Sequence, residues 1–174
     1  MVYQKFCKDE PTVNSDHSEL VDLIDGVTVT PCVTHYDDRG DLTEIVSTNW
    51  EGIEPSPHVY MVSVYPKVAK GWVYHKLQSD RLFPVSGYLK GVLYDKRDNS
   101  PTKDKLNVLY FSERVRMSIV IPPFVIHAVA NVGDHTATFI NCPSAPYNYA
   151  DPDKYRLPIG STDIPYSFEG YSGG

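Results

Sequence analysis

Two stretches of this 174-residue chain carry side chains able to do chemistry together. In the first, His75 is followed five residues later by Asp80 and seven after that by Gly87; in the second, Pro122-Pro123 precede His127 and Asn131. Two imidazoles and a carboxylate form the 2-His-1-carboxylate set that suits Fe(II), Mn(II) or Ni(II) with positions left open for substrate. One divalent transition metal on His75, Asp80 and His127 is therefore one reading. A second reading needs no cofactor: a histidine desolvated in an apolar interior beside a carboxylate carries protons near neutral pH, so His75 takes a proton from carbon next to a ketone. In a third, both histidines are interior side chains satisfied by tyrosine hydroxyls or carboxylates.

These groups meet only if strands position them. The dominant period is two, in short runs rich in Val, Ile, Tyr and Thr broken by Gly, Pro, Asn and Asp, which predicts an all-β barrel or sandwich. Strands are expected at Val27–Thr34, Leu42–Ser47, His58–Tyr65, Lys70–His75, Arg81–Val85, Tyr88–Tyr94, Leu106–Ser112, Met117–Ile121, Ala128–Val132 and Thr136–Asn141. Alternation puts Val73 and His75 on one face, and Thr138, Ile140 and Cys142 on one face of the last strand, where Cys142 is the thiol expected to point inward. For Cys142 the competing reading is a small buried hydrophobe. A short peripheral helix is expected near Ser18–Ile24, capped by Ser18. Lys96–Lys105 reads as an exposed loop.

The chain divides on this reading into an N-terminal extension (1–26), a barrel (27–142) and a C-terminal strap and tail (143–174), with 1–17 and 169–174 loosely held. Tyr147, Tyr149, Tyr155 and Tyr166 in the strap suit stacking on a base or sugar as well as packing. Arg39, beside Gly40 in the run Asp37-Asp38-Arg39-Gly40-Asp41, is able to grip a phosphate or to pair with a neighbouring Asp.

A formal charge of −6 argues against nucleic acid as a partner, since no basic excess replaces phosphate counterions. No stretch is apolar for long enough to cross a bilayer and the N-terminus lacks a signal-peptide core, so a cytoplasmic protein is expected with no membrane partner. Cys7, Cys32 and Cys142 show no Cys-x-x-Cys spacing and are expected as reduced thiols.

The first motif resembles the cupin pattern of His-x-His, carboxylate and turn glycine, with Val73 in place of the first histidine. More specifically, Asp38-Arg-Gly-x-x-x-Glu44, Lys70-Gly-Trp, Gly87, Tyr94-Asp95-x-Arg97-x-x-Ser-Pro-Thr102, Ile121-Pro-Pro and His127 resemble the dTDP-4-dehydrorhamnose 3,5-epimerase family over residues 27–166. The resemblance implies a cupin jelly-roll homodimer that binds a nucleotide-linked 4-keto-6-deoxy sugar and epimerises C3, C5 or both without a metal. It also implies substrate contacts at Arg39, Glu44 and Lys70, and a histidine near the ketone at His127.

The family's catalytic His and Tyr align with Val73 and Ile140, its sugar-polarising Lys with Asp80, and an Asp with Gly91. The usual machinery is therefore replaced. His75, His127 and Cys142, or a strap tyrosine in place of Cys142, are the expected catalytic groups, with Arg39, Glu44, Lys70, Asp80, Tyr147 and Tyr149 binding substrate. Three functions stay open: a sugar-nucleotide epimerase or isomerase with relocated groups, a metal-dependent cupin acting on another small molecule, and a catalytically silent sugar-nucleotide binder.

Overall fold

Strand-forming residues alternate with turn residues along most of the chain, and the computed structural model, which describes residues 11–15 and 21–174, accordingly contains strands and no helix among those residues. Two sheets face each other. The first has the order β1 (Thr28–Pro31), β9 (Met117–Ile121), β6 (Asp80–Ser86), β11 (Ala137–Asn141), β4 (Tyr60–Val64). In the second, the order is β12 (Tyr155–Arg156), β5 (Val68–Tyr74), β10 (Val125–Asn131), β7 (Tyr88–Asp95), β8 (Leu106–Ser112), and β13 (Ser172–Gly173) also pairs with β5. This is the expected all-β jelly roll. The hairpin of β2 (Thr34–Asp37) and β3 (Gly40–Thr43) forms a separate two-stranded sheet.

The core between the sheets is built from Val64, Leu82, Leu89, Leu93, Phe111, Ile119, Ile121, Val125 and Phe139 with their neighbours. A second core lies on the outer face of the second sheet. There Trp72, Val92, Ile126, Ala128 and Ala130 pack against Ile164 and Phe168 of the strap, and the Trp72 indole donates to the Ile159 carbonyl at 3.3 Å. Because β10 is buried on both faces, its alternate residues serve different cores, and His127 falls with Val125 and Val129 on the inner one.

Several boundaries differ from the sequence expectation, each for a local reason. The expected strand Val27–Thr34 stops at Pro31, which lacks a donor to continue the ladder, and the chain turns into the β2–β3 hairpin. The expected strand Leu42–Ser47 is replaced by Gly40–Thr43. For the helix expected at Ser18–Ile24, residues 18–20 lie outside those described, while Val21–Ile24 are irregular and the Ile24 amide is held by Asn107 Oδ1 at 2.8 Å. The tail expected to be loose at 169–174 is instead tied to β5 through β13. The strap does more than cross the barrel mouth, since residues beyond Leu157 complete the second core.

A bulge in β5 aims the site. Opposite His127 and Val129 of β10 stand Val73 and Lys70, so β5 fits one residue more into the same span. Gly71 occupies the bulge with φ 134°, and a Cβ there would lie 2.7 Å from both Ala128 Cα and the His127 carbonyl oxygen. Gly71→Ala is expected to destabilise the fold by about 1–3 kcal/mol from the backbone conformation alone. Urea denaturation checks this: an unchanged midpoint would mean that β5 and β10 separate freely at this point.

Candidate functional site

His75 follows β5, His127 lies within β10, and Asp80 opens β6 of the facing sheet; all three are buried, at 5%, 5% and 4% exposure. The fold therefore joins the two motifs. His75 Nε2 and His127 Nε2 approach the same oxygen, Asp80 Oδ2, at 3.3 and 3.4 Å. Each Nδ1 is already engaged with a backbone carbonyl, that of Asp153 for His75 and that of Val125, at 3.1 Å, for His127. With Nδ1 donating to a carbonyl, Nε2 is the nitrogen turned to chemistry on both rings.

Asp80 Oδ1 accepts from the Gln78 amide at 2.9 Å. Burial by itself raises an aspartate, but the hydrogen bonds from His127 and His75 outweigh it and hold Asp80 far below the usual carboxylate range. For His75, burial opposes protonation, yet the Asp80 carboxylate and the Asp153 carbonyl together raise it above the ordinary imidazole value. The contacts at 3.3 and 3.4 Å are longer than the roughly 2.7–2.9 Å of a tight charge-assisted hydrogen bond, so the three groups converge on one point without closing on each other.

That point opens into two adjoining cavities. The inner one, about 220 Å³, is lined by Asp80, His127, Val73, Phe139 and Asn141 together with Lys70, Lys154 and Arg156. The outer one, about 350 Å³, is lined by His75, Leu77, Gln78, His58, Tyr147 and Asn148. Tyr60 and Lys154 line both. A larger groove of about 660 Å³ lies elsewhere, around Arg97 and Phe124, but Arg97 is committed to Asp95 there and no cluster of reactive side chains faces it.

Tyr60 is a functional candidate that its place in a β-strand run conceals. Its hydroxyl accepts from Asn141 Nδ2 at 2.7 Å, which leaves its own proton free to donate. Burial, with the Asp80 charge, pushes the phenol upward despite the Asn141 hydrogen bond, so it stays protonated. Tyr60 comes from the first sheet and the two histidines from the second, across the cavity.

The remaining expected residues divide. Cys142 is not in either cavity: on β11 it is Phe139 and Asn141 that line the inner cavity, so Thr138, Ile140 and Cys142 take the opposite parity. Cys142 instead packs beside Arg81, where burial raises the thiol and Arg81 offsets this only in part. Lys70 lines the inner cavity and Tyr147 the outer one. Tyr149 is 87% exposed and touches Tyr147 edge-on, Tyr155 stacks on Tyr74 at 4.9 Å, and Tyr166 packs edge-on against Trp72 in the second core. Arg39 sits in the β2–β3 hairpin, paired with Asp37 and away from both cavities; Glu44 is exposed just beyond that hairpin. Among the described residues Cys32 and Cys142 are free thiols, and Cys7 lies outside them. No helix among those residues is long and apolar enough to cross a membrane.

No protein-family model matches the chain. It is 34% identical over 146 residues, 84% of its length and 97% of the relative's, to the spore coat polysaccharide biosynthesis protein SpsL of Bacillus subtilis. It is 32% identical over 137 residues, 78% of its length and 88% of the relative's, to the probable low-salt glycan biosynthesis epimerase Agl13 of Haloferax volcanii. In fold it is similar to the dTDP sugar isomerase of Desulfovibrio desulfuricans, with a TM-score of 0.79, 24% identity, and coverage of 86% of this chain and 94% of that one. With the jelly roll, the Lys70-Gly-Trp bulge and the joined His75, Asp80 and His127 already in place, these likenesses make the chain a member of the dTDP-4-dehydrorhamnose 3,5-epimerase-like family of cupin sugar epimerases.

Proposed function

We propose that the protein is an epimerase or isomerase of a nucleotide-linked 4-keto-6-deoxy sugar that works with groups other than the family's usual histidine and tyrosine. The observation that carries the reading is the convergence of two imidazole nitrogens and one buried carboxylate oxygen at the wall of a cavity whose other side presents the Tyr60 hydroxyl. His75, neutral with its Nδ1–H donated to the Asp153 carbonyl, uses its bare Nε2 to remove the proton from the carbon next to the ketone, and Asp80 beside it stabilises the imidazolium that forms. The electron pair moves onto the ketone oxygen to give an enolate. Tyr60 then returns a proton to the opposite face of that carbon, which inverts it; each positioned proton-transfer group is worth about 10²–10⁴ fold in rate. Tyr60 takes the acid role assigned above to Cys142. The similarity to a dTDP sugar isomerase and to a glycan biosynthesis epimerase supports the substrate class.

The test is solvent exchange. In D₂O, a panel of nucleotide-linked 4-keto-6-deoxy sugars is expected to gain deuterium at C3 or C5 by NMR, and His75→Ala and Tyr60→Phe are expected to slow this at least about 100-fold. Exchange that persists in both variants would remove these residues from the chemistry, and no exchange across the panel would reject the activity.

A second reading has its own observation. The ligand atoms of His75, Asp80 and His127 lie within 4.8 Å of one another, and each histidine's other nitrogen meets a backbone carbonyl, the outer-shell arrangement that metal-binding histidines favour. The donor set fits a divalent transition metal, which when bound would supply Lewis acidity toward a carbonyl oxygen. Elemental analysis of the purified protein, with exchange measured before and after chelation, separates the two: stoichiometric metal and chelator-sensitive exchange would favour the second.

A further inference from the structure

The strap returns to the barrel as β12, and its pairing with β5 sets Arg156 opposite Val73 and Tyr155 opposite Tyr74. Asp153 fastens this return. Its carboxylate accepts from the backbone amides of Lys76, at 2.9 Å, and Leu77, at 2.8 Å, while its carbonyl engages His75. Lys154 and Arg156 are thereby brought to the inner cavity, where Lys70 of β5 joins them. Three cations thus line one small cavity of a protein whose formal charge is −6.

None of the three has a carboxylate within ion-pair distance among the described residues, whereas Arg39, Arg97, Lys103, Lys105 and Arg116 each do. Partial burial in the cavity, and after it the charge of Arg156 and to a lesser extent that of Lys70, pushes Lys154 below the ordinary lysine value, with Asp80 pulling the other way. Asp80 does not neutralise the group, because its oxygens are taken by His75, His127 and Gln78. A concave site with three cations that no carboxylate pairs within ion-pair distance is complementary to a compact polyanion.

We propose that Lys70, Lys154 and Arg156 form a diphosphate clamp supplied largely by the C-terminal strap. The proposal deepens the sugar-nucleotide reading above and rests on it for the identity of the natural ligand: a diphosphate held at the clamp puts the directly attached sugar at the junction of the two cavities, beside His75, Asp80, His127 and Tyr60. The strap thereby supplies two of the three cations that line the inner cavity. Lys154, lining both cavities, marks the passage between the clamp and the outer cavity with Tyr147 and His58, which is left for the nucleoside.

Calorimetry with inorganic pyrophosphate, orthophosphate, thymidine diphosphate and uridine diphosphate tests this on the full chain. Pyrophosphate is expected to bind and orthophosphate to bind more weakly. Each of Lys70→Gln, Lys154→Gln and Arg156→Gln is expected to weaken pyrophosphate and nucleoside diphosphates roughly tenfold, and the binding is expected to fall with salt. Lys103→Gln, at a surface lysine already paired with Asp98, is the control and is expected to change nothing. A nucleoside diphosphate that binds more tightly than free pyrophosphate supports a nucleotide source for the ligand; equal affinities would reject the nucleoside part of the proposal.

Diphosphate affinity unchanged in all three variants, or no binding of any diphosphate, overturns the clamp. None of the three belongs to either hydrophobic core, so the variants are expected to melt as the parent does. The deuterium-exchange assay keeps the two proposals apart. Exchange that continues at parental affinity in Arg156→Gln condemns the clamp alone, whereas clamped diphosphate with no exchange in any sugar condemns the catalytic reading alone.

Discussion

Asp80→Asn lowers deuterium exchange into the keto sugar by about 10²–10⁴ fold while the protein stays folded. The expectation follows from the position of one oxygen. Asp80 Oδ2 is the atom on which both His75 Nε2 and His127 Nε2 converge, and replacing the carboxylate by a neutral amide removes the charge that orients and raises His75. An amide has nearly the same volume, so the packing around the site, including the Gln78 contact on Oδ1, is largely retained. Circular dichroism and a thermal melt accompany the kinetics. A folded Asp80→Asn protein that exchanges at the parental rate would mean that the buried cluster holds the two sheets together and takes no part in proton transfer.

The largest stability effect is expected at Asp95, remote from the chemistry. Its side chain is fully buried and accepts five hydrogen bonds, from the Arg97 amide, Arg97 Nε and Nη2, Ser100 Oγ and Thr102 Oγ1. Arg97 Nη2 also reaches the Asp25 carbonyl at 2.7 Å, so one carboxylate organises the loop after β7 and ties down the segment that enters β1. Asp95→Ala leaves these donors and a partly buried guanidinium without their acceptor and is expected to cost about 3–5 kcal/mol. Urea denaturation of both proteins measures it, and a loss below about 1 kcal/mol would show that water replaces the carboxylate readily.

The same group predicts acid sensitivity with a definite sign. Burial raises Asp95, but Arg97, Ser100 and Thr102 outweigh it and hold the folded-state value well below that of an unfolded aspartate. The folded state therefore binds this proton less readily than the unfolded state, and the contribution is fully present above about pH 4, the unfolded value. It is lost as pH falls below that toward the folded value. The stability gap between the parent and Asp95→Ala is thus expected to shrink below about pH 4 and to stay constant from pH 5 to 7. A gap independent of pH down to 2 would assign the effect to packing rather than to the charge.

Much of the architecture was legible because it is written in period-two runs. Eight of the expected strands, from His58–Tyr65 through Met117–Ile121 and the two that follow, reappear as β4 to β11, Leu106–Ser112 and Met117–Ile121 with the same ends and the others with shifted ones, where alternation and turn residues agree. Where apolar residues occupy both parities, alternation loses its meaning. In Ala137-Thr-Phe-Ile-Asn-Cys142 either face reads as inward, and the pairing of Phe139 with Pro84 and Val62 settled which one lines the cavity. That parity took Cys142 out of the site and put Asn141 into it. The β2–β3 hairpin was missed for a different reason: its short polar strands bury almost nothing and carry little hydrophobic signal.

The site divides along the same line. From the sequence alone came the candidate cluster of His75, Asp80 and His127, because His75, Asp80 and Gly87 keep a strand-turn-strand spacing and His127 follows the Pro-Pro that ends the preceding strand, whereas the acid expected at Cys142 did not survive the fold. The family was also legible there, since its motifs are local. What the tertiary structure alone decided is which distant segments meet them. Tyr60 reaches the cavity through β4–β11 pairing, and Lys154 and Arg156 reach it through β12–β5 pairing held by Asp153. Contacts across some eighty residues of chain leave no periodic trace in sequence, because their position is set by sheet register and by the closing of the strap over a shared core.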